Sequence, residues 1–293
     1  MCVGNLHDIS KYHAGFSYVR YTTINVHSNI TKGRRTMLIK CIAHHLIISR
    51  HVESVHNVAI KMAKKGEPTL LELLSASGIH NRDIPISQYT RENSPASMSG
   101  RDQAWHCGIW LKENYRIDRS YDSGYRRVRD GMEIMGIHDS NVDNRLTEYY
   151  FGDWSELSQS ERIAKARSDS KYAEYVQNPY DTAPPGGKSL AHEYQNHVLP
   201  MLEYLMSVDA QTIFLATHGL KMQLFRQAIE CQSIETFLRD NDNPNRRFKN
   251  GAFYICSRRS PCGTYVSPHL QYVRTVVPWN MKLSTKWQDL EQL

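Results

Sequence analysis

The chain has 293 residues, 40% hydrophobic and 23% charged, which is close to the average for globular proteins and allows a large core. No apolar run approaches the ~20 residues that a membrane-spanning helix needs, and the N-terminus lacks a signal-peptide pattern. We therefore expect a cytoplasmic protein without a membrane partner. The net charge is +6, and residues 243–287 hold eight Lys or Arg and no acid. Without a dense basic run interleaved with aromatics, however, nucleic-acid binding is not expected.

In the first segment of the chain, the hydrophobic residues follow neither a helical nor a strand period. Residues 1–36 are assigned to a peripheral N-terminal extension, and residues 37–293 to a single domain. Two irregular segments, about 66–100 and 141–188, are expected to be cap-like insertions in that domain. The six scattered cysteines form no C-x-x-C pair, so we expect reduced thiols.

Hydrophobic periodicity predicts strands that alternate with helices. In the first part of the chain we predict a strand at 45–49, a helix at 58–65 and loops at 66–100. A helix at 101–114, a weak strand at 117–121 and helices at 125–135 and 158–176 follow, the last of them polar. The remaining elements are helices at 189–206 and 220–230 around a strand at 212–217, and strands at 251–257 and 272–277. This alternation predicts an α/β fold, a three-layer α/β/α sandwich with a mainly parallel central sheet.

Two histidines directly follow the two clearest strands. His51 ends the first of them, and His218 follows the apolar run T-I-F-L-A-T at 212–217. Ligands of such sheets bind beyond the carboxyl ends of the strands, so we expect both side chains in one site.

Five motifs stand in order along the chain. They are R-H-V-E-S-V-H-N at 50–57, S-G-Y-R-R-V-R at 123–129, R-L-T-E-Y-Y-F-G-D-W at 145–154, P-P-G-G-K-S-L at 184–190 and T-H-G at 217–219. Together they resemble the histidine phosphatase superfamily, also called phosphoglycerate mutase-like, over about residues 45–260. The resemblance implies a phosphoglycerate mutase-like fold and a phosphomonoester hydrolase of the phosphatase branch.

The chemistry of phosphoryl transfer fits these residues. The reaction needs a donor-rich positive pocket and a nucleophile in line with phosphorus. His51 is expected to attack through a neutral ring nitrogen, with Glu148 as general acid and then base. Arg50, Asn57 and Arg127 are predicted to bind phosphate. His218 is predicted to be catalytic and to donate a further hydrogen bond to the phosphate. No metal or other cofactor is expected, and the partner is a small phosphorylated substrate; the sequence leaves the oligomeric state open.

Some positions depart from the family pattern. Val52 replaces a common glycine and would be strained at a positive φ. Gly124 stands in place of a proline, Gly131 in place of a threonine, and Lys188 in place of a glutamate. These changes bear on substrate preference more than on the chemistry.

Two alternatives stay open. The first is a phosphoglycerate mutase, although mutases carry an arginine after the glutamate where this chain has Tyr149. The second is an inactive module that binds phosphate or nucleic acid, against which the complete set of predicted site residues argues.

Overall fold

A computed structural model describes residues 43–64, 92–153 and 159–293 of the chain. Its centre is a seven-stranded sheet in the order β3-β2-β4-β1-β5-β6-β7. The strands are β1 (His45–Arg50), β2 (Arg119–Asp122), β3 (Asn141–Val142), β4 (Thr212–Thr217), β5 (Phe253–Ser257), β6 (Tyr272–Val276) and β7 (Gln288–Asp289). The predicted extension and most of the 66–100 insertion lie outside the described residues.

Strands β1 and β4 lie side by side at the middle of the sheet. They are parallel, with Arg50 in register with Thr217. Strands β2 and β3 continue the parallel half beyond β4, whereas β5, β6 and β7 are antiparallel on the other side of β1. The predicted mixed α/β sandwich with mainly parallel central strands is confirmed, and the antiparallel half is an addition to it.

Helices cover both faces of the sheet. They are α1 (Val55–Lys64), α2 (Met98–Asn114), α3 (Arg126–Ile134), α4 (Gln159–Ser168), α5 (Ser170–Gln177), α6 (Leu190–Glu193), α7 (Leu199–Leu205), α8 (Gly219–Ile229) and α9 (Ile234–Asp242). Alternate side chains of β1 enter different clusters: Leu46 and Ile48 pack with residues of α7 and α8, and Ile47 packs with residues of α2 and α3. This alternation is the period of two that a strand buried on both faces requires.

Several predicted boundaries were wrong for local reasons. Helix α1 begins at Val55, three residues before the predicted start, because the Ser54 hydroxyl accepts a hydrogen bond from the backbone N–H of Asn57. The predicted helix at 158–176 is two helices, since the side chain of Asp169 caps the start of the second. The predicted strand at 117–121 lies at Arg119–Asp122.

The amphipathic segment at 189–206 is helical but irregular. A π turn, Tyr194–Val198, separates α6 from α7. Pro200 lies in the first turn of α7 and has no N–H for a regular helical bond, so the wider turn carries the helix past it. Helix α9 and strands β3 and β7 were not predicted. Among the described residues no helix is long and apolar enough to cross a membrane, and the cytoplasmic location stays a prediction.

Candidate active site

The carboxyl ends of β1 and β4 bring His51 and His218 together. The backbone N–H of His51 donates to the carbonyl of Thr217 at 2.9 Å, which extends the strand pairing by one residue. The two imidazole centroids are 5.1 Å apart. His51 is 5% exposed and His218 is fully buried, so both rings lie at the base of the site.

The His51 ring is held in one orientation by two contacts. Its Nδ1 donates to the carbonyl of Val52 at 2.7 Å, and its Nε2 accepts from Nε of Arg127 at 3.2 Å. Burial, and then the charges of Arg127 and Arg50, lower the pKa of His51 well below 6.5. The imidazole is therefore neutral at neutral pH, with the lone pair of Nε2 directed toward the guanidinium.

Arg127 lies between the two histidines. It belongs to the first turn of α3 and is 3% exposed. Its Nη2 lies 3.1 Å from Nδ1 of His218, and its guanidinium carbon lies 4.9 Å from the centre of the Tyr125 ring. The preceding turn places Gly124 at φ +77°, which a proline cannot adopt, so this turn differs from one built on the family's proline.

The second nitrogen of His218 contacts Ser123, at the end of β2. The distance from Nε2 to the serine Oγ is 3.0 Å, and the Tyr125 ring stands edge-on to the imidazole at 4.7 Å. Arginine can only donate, so Nδ1 of His218 is the acceptor in this arrangement and the Nε2 hydrogen points to Ser123. The serine hydroxyl can also donate, which allows the other tautomer when Nδ1 must donate to a ligand.

Glu148 reaches the same pocket from the segment after β3. The Thr217 hydroxyl donates to the carbonyl of Leu146 at 2.6 Å and so ties this segment to the end of β4. The Glu148 Oε2 lies 3.6 Å from Nδ1 of His218 and 4.0 Å from Nη2 of Arg127. Its side chain is 17% exposed, which places the carboxylate between the buried rings and solvent.

Two of the motifs pack against each other beside Glu148. Gly152 has φ +56°, and a Cβ there would lie 2.1 Å from the carbonyl oxygen of Pro185. The hydroxyl of Tyr149 donates to the carbonyl of Lys188 at 2.5 Å. Glycine is required at 152 because only it permits this approach, which fixes the 184–188 loop next to the glutamate.

Arg50 forms another wall of the pocket. Its Nη1 donates to the carbonyl of Phe248 at 2.6 Å. Within the described residues its Nε has no hydrogen-bond partner. A Cβ on Gly219 would lie 3.1 Å from that nitrogen, so glycine leaves room for the guanidinium at the start of α8. Burial lowers the pKa of Arg50. The negative charge of Glu148 raises this pKa, and the positive charge of Arg247 lowers it further.

Asn57, predicted to bind phosphate, makes its contacts one layer behind the rings. Its Oδ1 accepts from the backbone N–H of Ser54 and from Nδ2 of Asn250, both at 3.2 Å. The same Nδ2 of Asn250 donates to the carbonyl of His51. Asn57 thus fixes the loop that carries the histidine, and its Nδ2 group is the part left to donate to a ligand.

Val52 is accommodated without backbone strain. Cys231 is the one non-glycine residue with positive φ in the described parts of the chain, so the condition for strain at Val52 does not hold. The Val52 side chain is fully buried, and its Cγ2 lies 3.2 Å from the position of a Cβ on Gly131. The two departures from the family pattern therefore fill one space together.

The sequence did not single out every residue at the site. Ser123 and Tyr125 were quoted in the motif at 123–129 but were given no role in the site, and the contact of Phe248 with Arg50 spans 198 positions of sequence. The first two could have been found from their place beside Arg127 at the junction between β2 and α3. A backbone carbonyl leaves no such signal.

The charge of the pocket bears on what it could hold. Ligand atoms of His51, Glu148 and His218 lie within 4.8 Å of one another, a spacing that could serve a metal ion. The Arg127 guanidinium, however, contacts both imidazoles. A divalent cation would have to displace it and then lie beside a second arginine, Arg50, so the residues fit an oxyanion better.

The fold and the pocket define an α/β protein with a paired-histidine site lined by arginines. The sequence profile described as the histidine phosphatase superfamily (branch 1) matches residues 81–245. This is more than half of the chain, and the chain belongs to that superfamily. The matched range contains Arg127, Glu148 and His218, whereas Arg50 and His51 precede it.

Solved structures share the fold at low sequence identity. A mycobacterial glucosyl-3-phosphoglycerate phosphatase in complex with inorganic phosphate is 17% identical over 83% of this chain and 100% of its own, with a TM-score of 0.53. A protein assigned as an alpha-ribazole-5'-P phosphatase from Escherichia coli K-12 MG1655 is 16% identical over 74% of this chain and 92% of its own, with a TM-score of 0.52. No curated protein sequence matches the chain.

Proposed function

We propose that the chain is a phosphomonoester hydrolase that acts on a small phosphorylated substrate through a phosphohistidine on His51. The observation that carries the proposal is the state of the His51 ring. Its Nδ1–H is bound to a carbonyl, its pKa is far below 6.5, and Nε2 faces a guanidinium that can hold a phosphate oxygen. A neutral nitrogen in a positive pocket is what nucleophilic attack on a phosphate dianion requires.

In the proposed reaction, Nε2 of His51 forms a bond to phosphorus as the bond from phosphorus to the leaving oxygen breaks. The protonated Glu148 gives its proton to that oxygen. The resulting carboxylate then takes a proton from water as the water oxygen attacks phosphorus and the N–P bond breaks. Inorganic phosphate leaves, and His51 returns to the neutral form. Arg50, Arg127 and His218 hold the three non-bridging oxygens through both steps.

The supporting roles rest on the same geometry. Asn57 is proposed to add a donor from Nδ2 behind the nucleophile loop. No metal takes part in the proposed reaction, because the arginines supply the positive charge. We also propose that residues 37–293 form one domain, with residues 1–36 as an extension and the 66–100 and 141–188 segments as its caps.

The test is hydrolysis of p-nitrophenyl phosphate by the full chain with and without EDTA. We expect turnover that persists in EDTA and is lost in His51→Ala, while the exposed His138→Ala is the matched control. Rapid quenching should trap an acid-labile, alkali-stable phosphoryl group on the His51 peptide. Activity that EDTA abolishes, or a phosphoenzyme that survives in His51→Ala, would contradict the proposal.

The mutase alternative is tested with the same protein. The residue after Glu148 is Tyr149, which is fully buried and hydrogen-bonded to a backbone carbonyl, so this position offers no cation to a substrate. We expect phosphate release from 3-phosphoglycerate to exceed its interchange with 2-phosphoglycerate. Faster interchange would favour the mutase. No turnover together with salt-sensitive nucleic-acid binding would favour a binding module.

A further inference from the structure

The sequence carries a basic stretch that the proposed function leaves unused. Residues 243–287 hold eight Lys or Arg and no acid. Residues 245–249 of this stretch line an open cleft of about 690 Å³, together with residues of α8, α9, β5 and β6. This volume is within the range of small-molecule sites. Among the described residues that line the cleft there is none of those predicted for the His51 pocket, so the cleft is a separate place on the molecule.

Cationic residues outnumber acidic ones in the lining of this cleft, which we call the arginine cleft. The lining holds two acidic residues, Glu230 and Asp240, and six cationic ones, which are Arg226, Arg239, Arg246, Arg247, Lys249 and Arg274. Glu230 is engaged by neutral partners, since its Oε1 accepts from the Tyr254 hydroxyl at 2.9 Å and its Oε2 accepts from Nε2 of Gln232 at 2.8 Å. Burial raises the pKa of Glu230, which reduces the negative charge that it can supply. Asp240 is therefore the main acidic partner of the cationic side chains.

Asp240 cannot neutralise the arginines around it. Its side chain is buried, and Oδ2 accepts a hydrogen bond from Nη2 of Arg226 at 3.3 Å. Oδ1 lies 3.7 Å from Nε of Arg239 and 3.9 Å from Nε of Arg246, which is longer than a hydrogen bond. The side chains of Arg239 and Arg246 are 70% and 62% exposed. Three guanidinium groups thus share one carboxylate, and two of them keep N–H donors for a ligand.

Further donors of the arginine cleft also lack an acidic partner. Nε of Arg247 donates to the carbonyl of Asn241, and Nζ of Lys249 donates to the carbonyl of Pro244 at 3.0 Å. In the parts of the chain that the structure describes, neither side chain forms an ion pair. Arg226 is 9% exposed, and its Nε has no hydrogen-bond partner among the described residues. A buried donor without an acceptor costs free energy, which a bound anion would recover.

We propose that the arginine cleft binds a small ligand that carries two or more phosphate groups in one chain. Guanidinium groups bind phosphate oxygens through two parallel hydrogen bonds, and several separated cations match several linked phosphates better than a single one. Phe248 and Tyr254, the aromatic residues of the lining, are buried, so the described cleft presents no ring on which a nucleic-acid base could stack. This inference goes beyond the proposed function and does not rest on it, because binding in the cleft requires no residue of the His51 pocket.

Calorimetric titration of the full chain tests the ligand class. Inorganic phosphate, pyrophosphate, tripolyphosphate and citrate are compared in the His51→Ala variant, in which the proposed nucleophile cannot consume the probes. We expect tripolyphosphate to bind about tenfold more tightly than phosphate, with an affinity that declines as salt is added. Citrate, which carries its charge on carboxylates, should bind more weakly than tripolyphosphate. Equal affinities for all the probes would overturn the proposal.

The matched variants are Arg239→Gln with Arg246→Gln, and Arg119→Gln with Arg167→Gln as control. Each pair removes two exposed positive charges, and the first pair leaves the buried Asp240 with its hydrogen-bonded arginine. We expect the Kd of tripolyphosphate to rise about tenfold in the cleft pair and about twofold or less in the control pair. Equal rises in the two pairs would show that the probe responds only to net charge, which would contradict a site in the cleft.

Hydrogen exchange locates the bound probe without any substitution in the cleft. As its concentration rises, tripolyphosphate should slow amide exchange in peptides that cover residues 239–249 before it affects residues 50–57 and 123–129. The reverse order would place the tighter site in the His51 pocket and would reject the arginine cleft. A single-stranded oligonucleotide that protects residues 239–249 at a lower concentration than tripolyphosphate would reject the proposed ligand class.

Discussion

The contact between Val52 and Gly131 predicts that these positions are energetically coupled. A Cβ at 131 would lie 3.2 Å from Cγ2 and 3.6 Å from Cγ1 of a fully buried valine. Gly131→Ala should stabilise helix α3 by roughly 0.5–1 kcal/mol through lower backbone entropy in the unfolded chain. The crowding of Val52 should cost roughly 1–3 kcal/mol, so the net change is a loss.

In a Val52→Ala background we expect the stability effect of Gly131→Ala to change sign. Val52→Ala removes two methyl groups and should cost roughly 2 kcal/mol through lost burial and a small cavity. In that background the added Cβ of Gly131→Ala no longer meets the two methyl groups of Val52, and Cε of Met135 at 3.9 Å is at an ordinary van der Waals distance, so the helix gain remains. The double-mutant coupling should therefore be about 1–3 kcal/mol. Urea unfolding of the wild type, the two single variants and the double variant measures this coupling energy. In a control cycle, Arg167→Ala at an exposed position of α4 takes the place of Gly131→Ala.

Activity gives a second readout of the same contact. The carbonyl of Val52 accepts the hydrogen bond from Nδ1 of His51, so displacing the valine should also disturb the proposed nucleophile. We expect kcat toward p-nitrophenyl phosphate to fall in Gly131→Ala and to recover partly in the double variant. Additive stabilities, within about 0.5 kcal/mol in both cycles, would refute the reasoning.

Three further results are expected. Ser123→Ala removes the partner of His218 Nε2 and should lower kcat/KM roughly tenfold, with recovery in Ser123→Thr; unchanged kinetics would contradict this role. Although burial opposes it, hydrogen bonding to His197 and to a buried lysine lowers the pKa of Glu193 to about 2. The contribution of Glu193 to the free energy of unfolding is thus present above pH 4.5 and is lost toward pH 2. Between these pH values the free energy of unfolding, measured in urea, should fall less steeply in Glu193→Gln than in the wild type. Hydroxyl hydrogen bonds lower the pKa of the exposed Cys262 to about 7, so its alkylation rate, followed by peptide mapping, should be half-maximal there; a midpoint near 9 would exclude this.

The parts of the fold that the sequence predicted are those with local signals. Strand β4 was predicted with its observed bounds, because six apolar or β-branched residues stand between polar segments and end at His218. The pairing of His51 with His218 followed from one rule about strand ends. The direction of β5 and β6 could not be predicted in this way, because periodicity identifies a strand but not its orientation.

The parts of the site that escaped prediction depend on long-range contacts. The Arg50 guanidinium is fixed by the Phe248 carbonyl, and any residue type could supply that oxygen. In the sequence, the larger side chain at Val52 and the missing side chain at Gly131 were two separate departures from the family pattern. Nothing in the sequence indicated that the two positions are in contact. The capping of α5 by Asp169, in contrast, was within reach, since aspartate before a polar run is a typical helix start.

The position of the two imidazoles just beyond the ends of adjacent parallel strands has an evolutionary consequence. Their centroids are 5.1 Å apart, close to the ~4.8 Å that separates neighbouring strands. The hydrogen-bond ladder between β1 and β4, which the backbone N–H of His51 extends to the carbonyl of Thr217, therefore anchors the two histidines at neighbouring strand ends. Insertions and deletions in the surrounding loops can alter which molecules enter while the two imidazoles stay anchored at the strand ends, so binding specificity can change here without rebuilding the site.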